Sequence, residues 1–155
     1  MHPNAQAVVD AGRERGVEVA VQEFPEGTRT AADAAAAIGV GVAQIVKSLV
    51  FVVDDQVVVA LVSGPNRLDE DRLAAVAGGA GVRRAGADEV RDATGYPIGG
   101  VPPFGHRTTL PTYVDRSLLT YDVVWAAAGT PRHVFPVTPA DLVRVSGATT
   151  ADIAG

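Results

Sequence analysis

Two apolar runs dominate the middle of the chain, Ile45 to Val53 and Gln56 to Ser63, and only Asp54-Asp55 separates them. Their length and β-branched content, with two acidic residues between, predict a hairpin of two strands. Both runs are too apolar for a sheet with one wet face, so they are expected at the centre of a sheet or curving into a barrel. The period changes on either side. Ala5 to Arg15 reads as a helix, with Asn4 as its cap and Gly16 as its stop. Val17, Val19 and Val21 alternate with polar or small residues, the pattern of a half-buried strand. Thr30 followed by Asp33 resembles a capping box for an alanine-rich helix that Gly39 closes.

Further along, Asp69 can cap a helix that ends before Gly78-Gly79, and Val82 to Ala85 reads as a short strand. Ala87 to Thr94 is a helical stretch with Gly95 as its stop. Leu110 to Val114, Val123 to Ala127 and His133 to Val137 read as strands. Thr138-Pro139-Ala140-Asp141 is a helix start with a cap, a first-turn proline and an acidic third position. The sum is about six strands interleaved with four or five short helices. Hairpin-like neighbours and irregular spacing favour an α+β fold, with a mixed, mostly antiparallel curved sheet or barrel-like core, over a doubly wound parallel sheet. No repeat or low-complexity linker divides the chain, so residues 1–155 are expected to form one domain.

Composition narrows the class. No cysteine is present, which removes disulfides, thiolate metal sites and cysteine nucleophiles together. No run of eighteen apolar residues and no signal-peptide layout is found, so a soluble, cytoplasmic protein without a membrane partner is expected. A net charge of −5 argues against general nucleic-acid binding, because such affinity comes from neutralising phosphates. A local patch can still dock one nucleic-acid end. Arg83, Arg84 and Arg132 are candidates for it, although solvated surface is the plainer reading of such arginines. His2, His106 and His133 lack metal-ligand spacing, and His2 is expected in a frayed terminus. No nucleophile elbow surrounds any serine, which weakens a serine-hydrolase reading built on Ser63, Ser117 and His106.

Two features remain. The chain has twelve arginines and one lysine, Lys47, set in the apolar stretch Ile45-Val46-Lys47-Ser48-Leu49-Val50-Phe51. A desolvated lysine loses proton affinity where arginine does not, so the position suits a functional amine. It suits equally a strand-start lysine whose stem lies on apolar surface with its amine in water. Gly95 to Gly105 reads Gly-Tyr-Pro-Ile-Gly-Gly-Val-Pro-Pro-Phe-Gly, and seven of its eleven residues are glycine or proline. Such a loop is either a long structural turn or a stiff cradle that brings backbone groups close to a ligand, with Gly99-Gly100 the expected point of approach.

Both features fall inside a larger pattern. Ile45 to Val50, then Thr94 to His106, then Ala127-Ala128-Gly129-Thr130 leading to Thr138-Pro139-Ala140-Asp141-Leu142, resemble YbaK/EbsC-type aminoacyl-tRNA deacylases in order and spacing. The resemblance covers most of the chain. It implies a free-standing relative of the editing domain inserted in some prolyl-tRNA synthetases, which hydrolyses the ester of a mischarged tRNA in trans. It places the family's essential lysine at Lys47 and its substrate-cradling loop at Gly99 and Gly100. The substrate-binding set it implies adds Ser48, Ile98, Val101, Pro103 and His106, and from the third block Ala127 and Gly129. Ser48 stands where relatives often carry threonine or asparagine. Ala127 stands where some carry a pocket serine, which removes a hydroxyl.

An aminoacyl ester is already activated, so its hydrolysis needs positioning and charge stabilisation more than a strong nucleophile. No metal or other cofactor is called for. The expected partner is the acceptor end of a mischarged tRNA, with a synthetase as a further candidate, and the chain is expected to be a monomer. The alternative is a non-catalytic module of the same fold that binds an amino acid, a nucleotide or a tRNA end.

Overall fold

The structure is a computed structural model, and it describes residues 1–24 and 30–155. The central hairpin forms as its pattern predicts. Strand β2 (Val46–Val53) pairs antiparallel with β3 (Gln56–Ser63) from Val46↔Ser63 to Val53↔Gln56. Asp54 turns the chain at φ +53°, a left-handed conformation that aspartate tolerates better than most residues. Its carboxylate accepts the N–H of Gly81 at 2.9 Å, which draws in the next strand, β4 (Val82–Arg84).

The hairpin is the middle of a five-stranded sheet in the order β4-β2-β3-β5-β8, with β5 at Thr112–Asp115 and β8 at Thr149–Ala151. The β4-β2 and β2-β3 pairings are antiparallel, and β3-β5 and β5-β8 are parallel. A second, antiparallel sheet has the order β1-β7-β6, from β1 (Gln22–Glu23), β7 (His133–Val137) and β6 (Val124–Ala127). One parallel bridge, Ile45↔Trp125, links the two sheets. The fold is therefore α+β with mixed sheets, and among the described residues no closed barrel forms.

Among the described residues five α-helices surround the sheets: α1 (Pro3–Glu14), α2 (Ala31–Ile38), α3 (Glu70–Ala77), α4 (Ala87–Thr94) and α5 (Pro139–Ser146). Thr30, Asp69 and Thr138 each cap a helix by accepting a backbone N–H, as their spacing predicts. The expectation at α1 needs correction. The helix starts at Pro3, and the cap is His2, whose Nδ1 accepts the Asn4 N–H at 3.0 Å, so His2 is tied down rather than frayed. Asn4 instead donates its side chain to the Gly129 carbonyl at 3.0 Å. Val17 and Val19 are buried as their alternation predicts, yet that stretch belongs to no strand; pairing begins only at Gln22, against Val134. Alternation reports which face is buried, while a strand also needs a partner for its backbone.

Strand β2 is buried on both faces. Val46, Val50 and Val52 join a core that spans both sheets with Val8, Phe104, Phe135 and Leu142. Phe51 and Val53 face the other way, into a second cluster with Leu73 and Ile153.

Candidate functional site

The two halves of β2 have different edges. Its second half pairs with β3 on one side and with β4 on the other, through Phe51↔Arg84, Val52↔Arg83 and Val53↔Val82. The Ala85 N–H donates to the Val50 carbonyl at 3.0 Å, and there the second ladder stops. The next link along that edge is the Ile45↔Trp125 bridge. Successive residues of a strand point their peptide groups to opposite edges, so residues two apart share an edge. Ser48 therefore aims its N–H and C=O the same way as Val50, into a gap where no strand among the described residues pairs with it.

That gap opens into a cavity of about 350 Å³. Lys47, Ser48 and Leu49 form one side, and Ile98, Gly99 and Val101 come from the glycine- and proline-rich loop. Trp125, Ala126 and Ala127 of β6 close it, with Ala31 and Ala34 of α2 at its rim. A smaller depression of about 160 Å³ adjoins it, sharing Ser48, Leu49, Ile98, Gly99 and Val101 and adding Arg84 and Val90.

Lys47 is half-buried, and its Nζ donates to the Asn66 carbonyl at 2.6 Å. Burial, and then the nearby Arg84 guanidinium, hold its pKa below the ordinary lysine value of 10.5. Ser48 presents a buried hydroxyl with no hydrogen-bond partner among the described residues, an expense unless something else completes it. The Gly100 N–H donates to the Pro97 carbonyl at 2.9 Å, closing a turn with Ile98 at its tip and Gly99 at φ +85°. A turn with positive φ at its third position is of the type that requires glycine there. Ile98 is 57% exposed, an apolar side chain standing over the cavity mouth.

The remaining residues of the expected set lie behind this surface. Gly100 does not line the cavity. A Cβ on it would sit 2.6 Å from the Thr130 α-carbon, so glycine there lets two backbones touch. Gly129, at φ +95°, is pressed in the same way against Asn4. Pro103 is buried, and His106 lies on the far side of the loop, where its Nε2–H donates to the Pro102 carbonyl at 2.7 Å. Burial chiefly, with Arg15 nearby, lowers the His106 pKa against that hydrogen bond. These four support the loop and the 127–133 turn from behind, while Lys47, Ser48, Ile98, Gly99, Val101 and Ala127 meet at the cavity.

Sequence reasoning missed Trp125 and the α2 face. Both had a signal. Trp125 lies two residues before Ala127, on the same face of a strand. Ala31 and Ala34 stand three apart on one helix face, where small side chains allow close approach.

Residues 25–145 match the aminoacyl-tRNA editing domain family. The chain belongs to this family. A solved structure described as "a putative trans-editing enzyme for prolyl tRNA synthetase" is 49% identical, with a TM-score of 0.95 over 100% of this chain and 99% of that one. The uncharacterized protein YwhH of Bacillus subtilis is 34% identical over 127 residues, 81% of this chain and 80% of its own length. The proline–tRNA ligase of Solidesulfovibrio magneticus is 36% identical over 113 residues, 72% of this chain but only 19% of the ligase. The chain thus spans about a fifth of that synthetase relative, and the match to the editing domain family covers every residue that lines the cavity. Among the described residues no helix is long and apolar enough to cross a membrane.

Proposed function

We propose that this editing domain is an aminoacyl-tRNA deacylase that hydrolyses the ester of a mischarged tRNA in trans. The observation that carries the reading is a lone half-buried lysine beside the unpaired Ser48 edge, at the mouth of a mostly apolar cavity. The ester carbonyl lies between Lys47 and the Ile98-Gly99 turn. Water adds to the carbonyl carbon, and the electron pair that moves to oxygen is stabilised by the Lys47 ammonium. Collapse breaks the bond to the terminal ribose oxygen, which takes the proton that water gives up, relayed by the neighbouring ribose hydroxyl. The Ser48 carbonyl and hydroxyl accept hydrogen bonds from the substrate's ammonium group. No serine nucleophile is used: Ser63 donates its hydroxyl to the Ala43 carbonyl, and Ser117 donates to Asp115.

The side chain released is small: alanine, serine, threonine or cysteine. Alanine is favoured among them, because Ala127 offers no hydroxyl and the walls contributed by Ile45, Trp125 and Val134 are apolar. A hydroxyl buried there without a partner is costly. Of the arginines considered for phosphate contact, Arg83 is held by Glu89 through two bonds of 2.7 Å, and Arg132 donates to the Phe24 carbonyl. Arg84 lies over the Phe51 ring beside the cavity with no carboxylate partner among the described residues, which supports it as the contact to the acceptor end.

The test is deacylation of tRNAs mischarged with each of the four amino acids, by the wild-type chain and by Lys47→Ala. Turnover of at least one, lost in the variant with the fold intact, is expected. Activity that survives Lys47→Ala contradicts the mechanism. Binding without turnover by the folded wild type assigns a binding module instead.

A further inference from the structure

Lys47 does not hang freely at the cavity mouth. The carbonyl it donates to belongs to Asn66, whose own N–H donates to the Ser63 carbonyl at 3.0 Å. The Asn66 side chain donates to the Ser117 hydroxyl at 3.1 Å, and that hydroxyl makes a very short hydrogen bond to Asp115. Donor chemistry fixes the direction of this chain. A carboxylate only accepts, so the Ser117 proton goes to Asp115, and the hydroxyl's remaining lone pairs require the Asn66 NH₂, not its oxygen. Asp115 is 4% exposed and is held in turn: one oxygen accepts the Ile153 and Ala154 N–H groups at 3.0 and 3.1 Å. The same terminal stretch returns to the segment after Asn66, through Asp69 N–H to the Ile153 carbonyl at 2.7 Å and Gly155 N–H to the Arg67 carbonyl at 2.8 Å. Both routes fix the Asn66 carbonyl in place.

We propose that Asn66, Ser117 and Asp115 form a positioning relay that holds the Lys47 ammonium at the reaction site. A lysine stem has four rotatable bonds and a strongly hydrated head, so an unanchored one points at solvent. One donor fixed on Asn66 leaves two aimed by that bond for the substrate. None of the three residues lines the cavity, so their effect passes through Lys47. The proposal rests on Lys47 acting in ester hydrolysis as set out above.

The experiment has two readouts. In single-turnover and steady-state deacylation, Ser117→Ala is expected to lower kcat about tenfold, with KM changed less than about twofold, as for misplacement of a reacting group. Ser117→Thr, which keeps the hydroxyl, is expected to restore the rate. In a Lys47→Ala background Ser117→Ala is expected to have no further effect. The second readout uses the fact that Lys47 is the only lysine. In protein labelled at lysine with ¹³C and ¹⁵N, the two Hε protons of Lys47 are expected to be inequivalent in the wild type and to collapse to one shift in Ser117→Ala. An unchanged Lys47 signal in folded Ser117→Ala, an unchanged kcat, or an equal loss in the Lys47→Ala background overturns the relay. If the wild type turns over no ester, the deacylase reading fails, and the lysine signal still decides the relay.

Discussion

The two halves of β2 are built from similar sequence and end up in different trades. Val50 to Val53 is paired on both edges and covered on both faces. Val46 to Leu49 keeps only the β3 ladder on one edge, and it carries the lysine and the serine. The difference arises from where neighbours stop. Strand β4 is three residues long, and β6 bridges only to Ile45, just before β2, so a gap of a few residues is left with peptide groups facing it. Unpaired buried peptide groups are a cost that the cavity turns into recognition, since a ligand can complete them. On the proposed reading, function lies where the sheet runs out of strands.

Several substitutions sharpen or break this contrast. The largest effect on stability is expected in the closed half: Phe51→Ala should destabilise the fold by about 3–5 kcal/mol in urea unfolding, as for other buried aromatics. Its turnover of a minimal aminoacyl ester, measured where the protein is folded, should stay near wild type. The open half should behave oppositely. Lys47→Met is expected to cost about 100- to 1,000-fold in deacylation, the scale of removing one transition-state donor. Its unfolding free energy should fall by only about 1 kcal/mol, the scale of losing the one hydrogen bond to Asn66. A large stability loss at Lys47, or a large catalytic loss at Phe51, would erase the distinction.

Gly100→Ala should produce an intermediate effect, because its Cβ must displace the Thr130 backbone. A stability loss of about 1–3 kcal/mol is expected from the overpacking, together with a raised KM as the 97–100 turn shifts. Asp115 gives a pH test. Burial alone would raise its pKa, but hydrogen bonds from Ser117, Ile153 and Ala154 outweigh that and hold the carboxyl below its ordinary 3.8. The stability it contributes is therefore complete above 3.8 and lost as pH falls through the lower folded value. Acid unfolding of Asp115→Asn should lack that dependence, and an unchanged acid limb would show that Asp115 is not the group responsible. The smallest effect is expected at Arg84→Ala, which should weaken turnover of full tRNA by about 1 kcal/mol, the worth of a partly exposed charged contact. The minimal ester should be spared, and Arg83→Ala, already held by Glu89, should affect neither.

Much of the fold was legible because local signals agreed with tertiary packing. Thr30, Asp69 and Thr138 cap helices where their spacing says, and the hairpin turns at Asp54-Asp55 as its pattern predicts. The strand expected at Val17 to Val21 and the unexpected β8 failed for one reason. A ladder depends on a distant partner, Val134 for Gln22 and Tyr113 for Thr149, and no local pattern names it. The candidate site was legible in its chemistry and less so in its layout. Lys47 and the Gly95–Gly105 loop stood out by type, and Lys47 and part of that loop meet at the cavity. The open edge at Ser48 was invisible, because it is made by strands that are absent beside it. Gly100 shows the converse: its dipeptide with Gly99 looked like one cradle, yet one glycine serves the turn and the other a backbone contact.

The most direct test is to titrate ¹⁵N-labelled protein with 3′-alanylamino-3′-deoxyadenosine, an amide that mimics the ester and is not hydrolysed, and to follow backbone amide shifts. The account expects the Ser48, Gly99 and Ala127 amides to move together while Val52 and Val53 stay in place. Perturbation centred on the other open depression, around Gly78 and Tyr113, or none at saturating ligand, would contradict it.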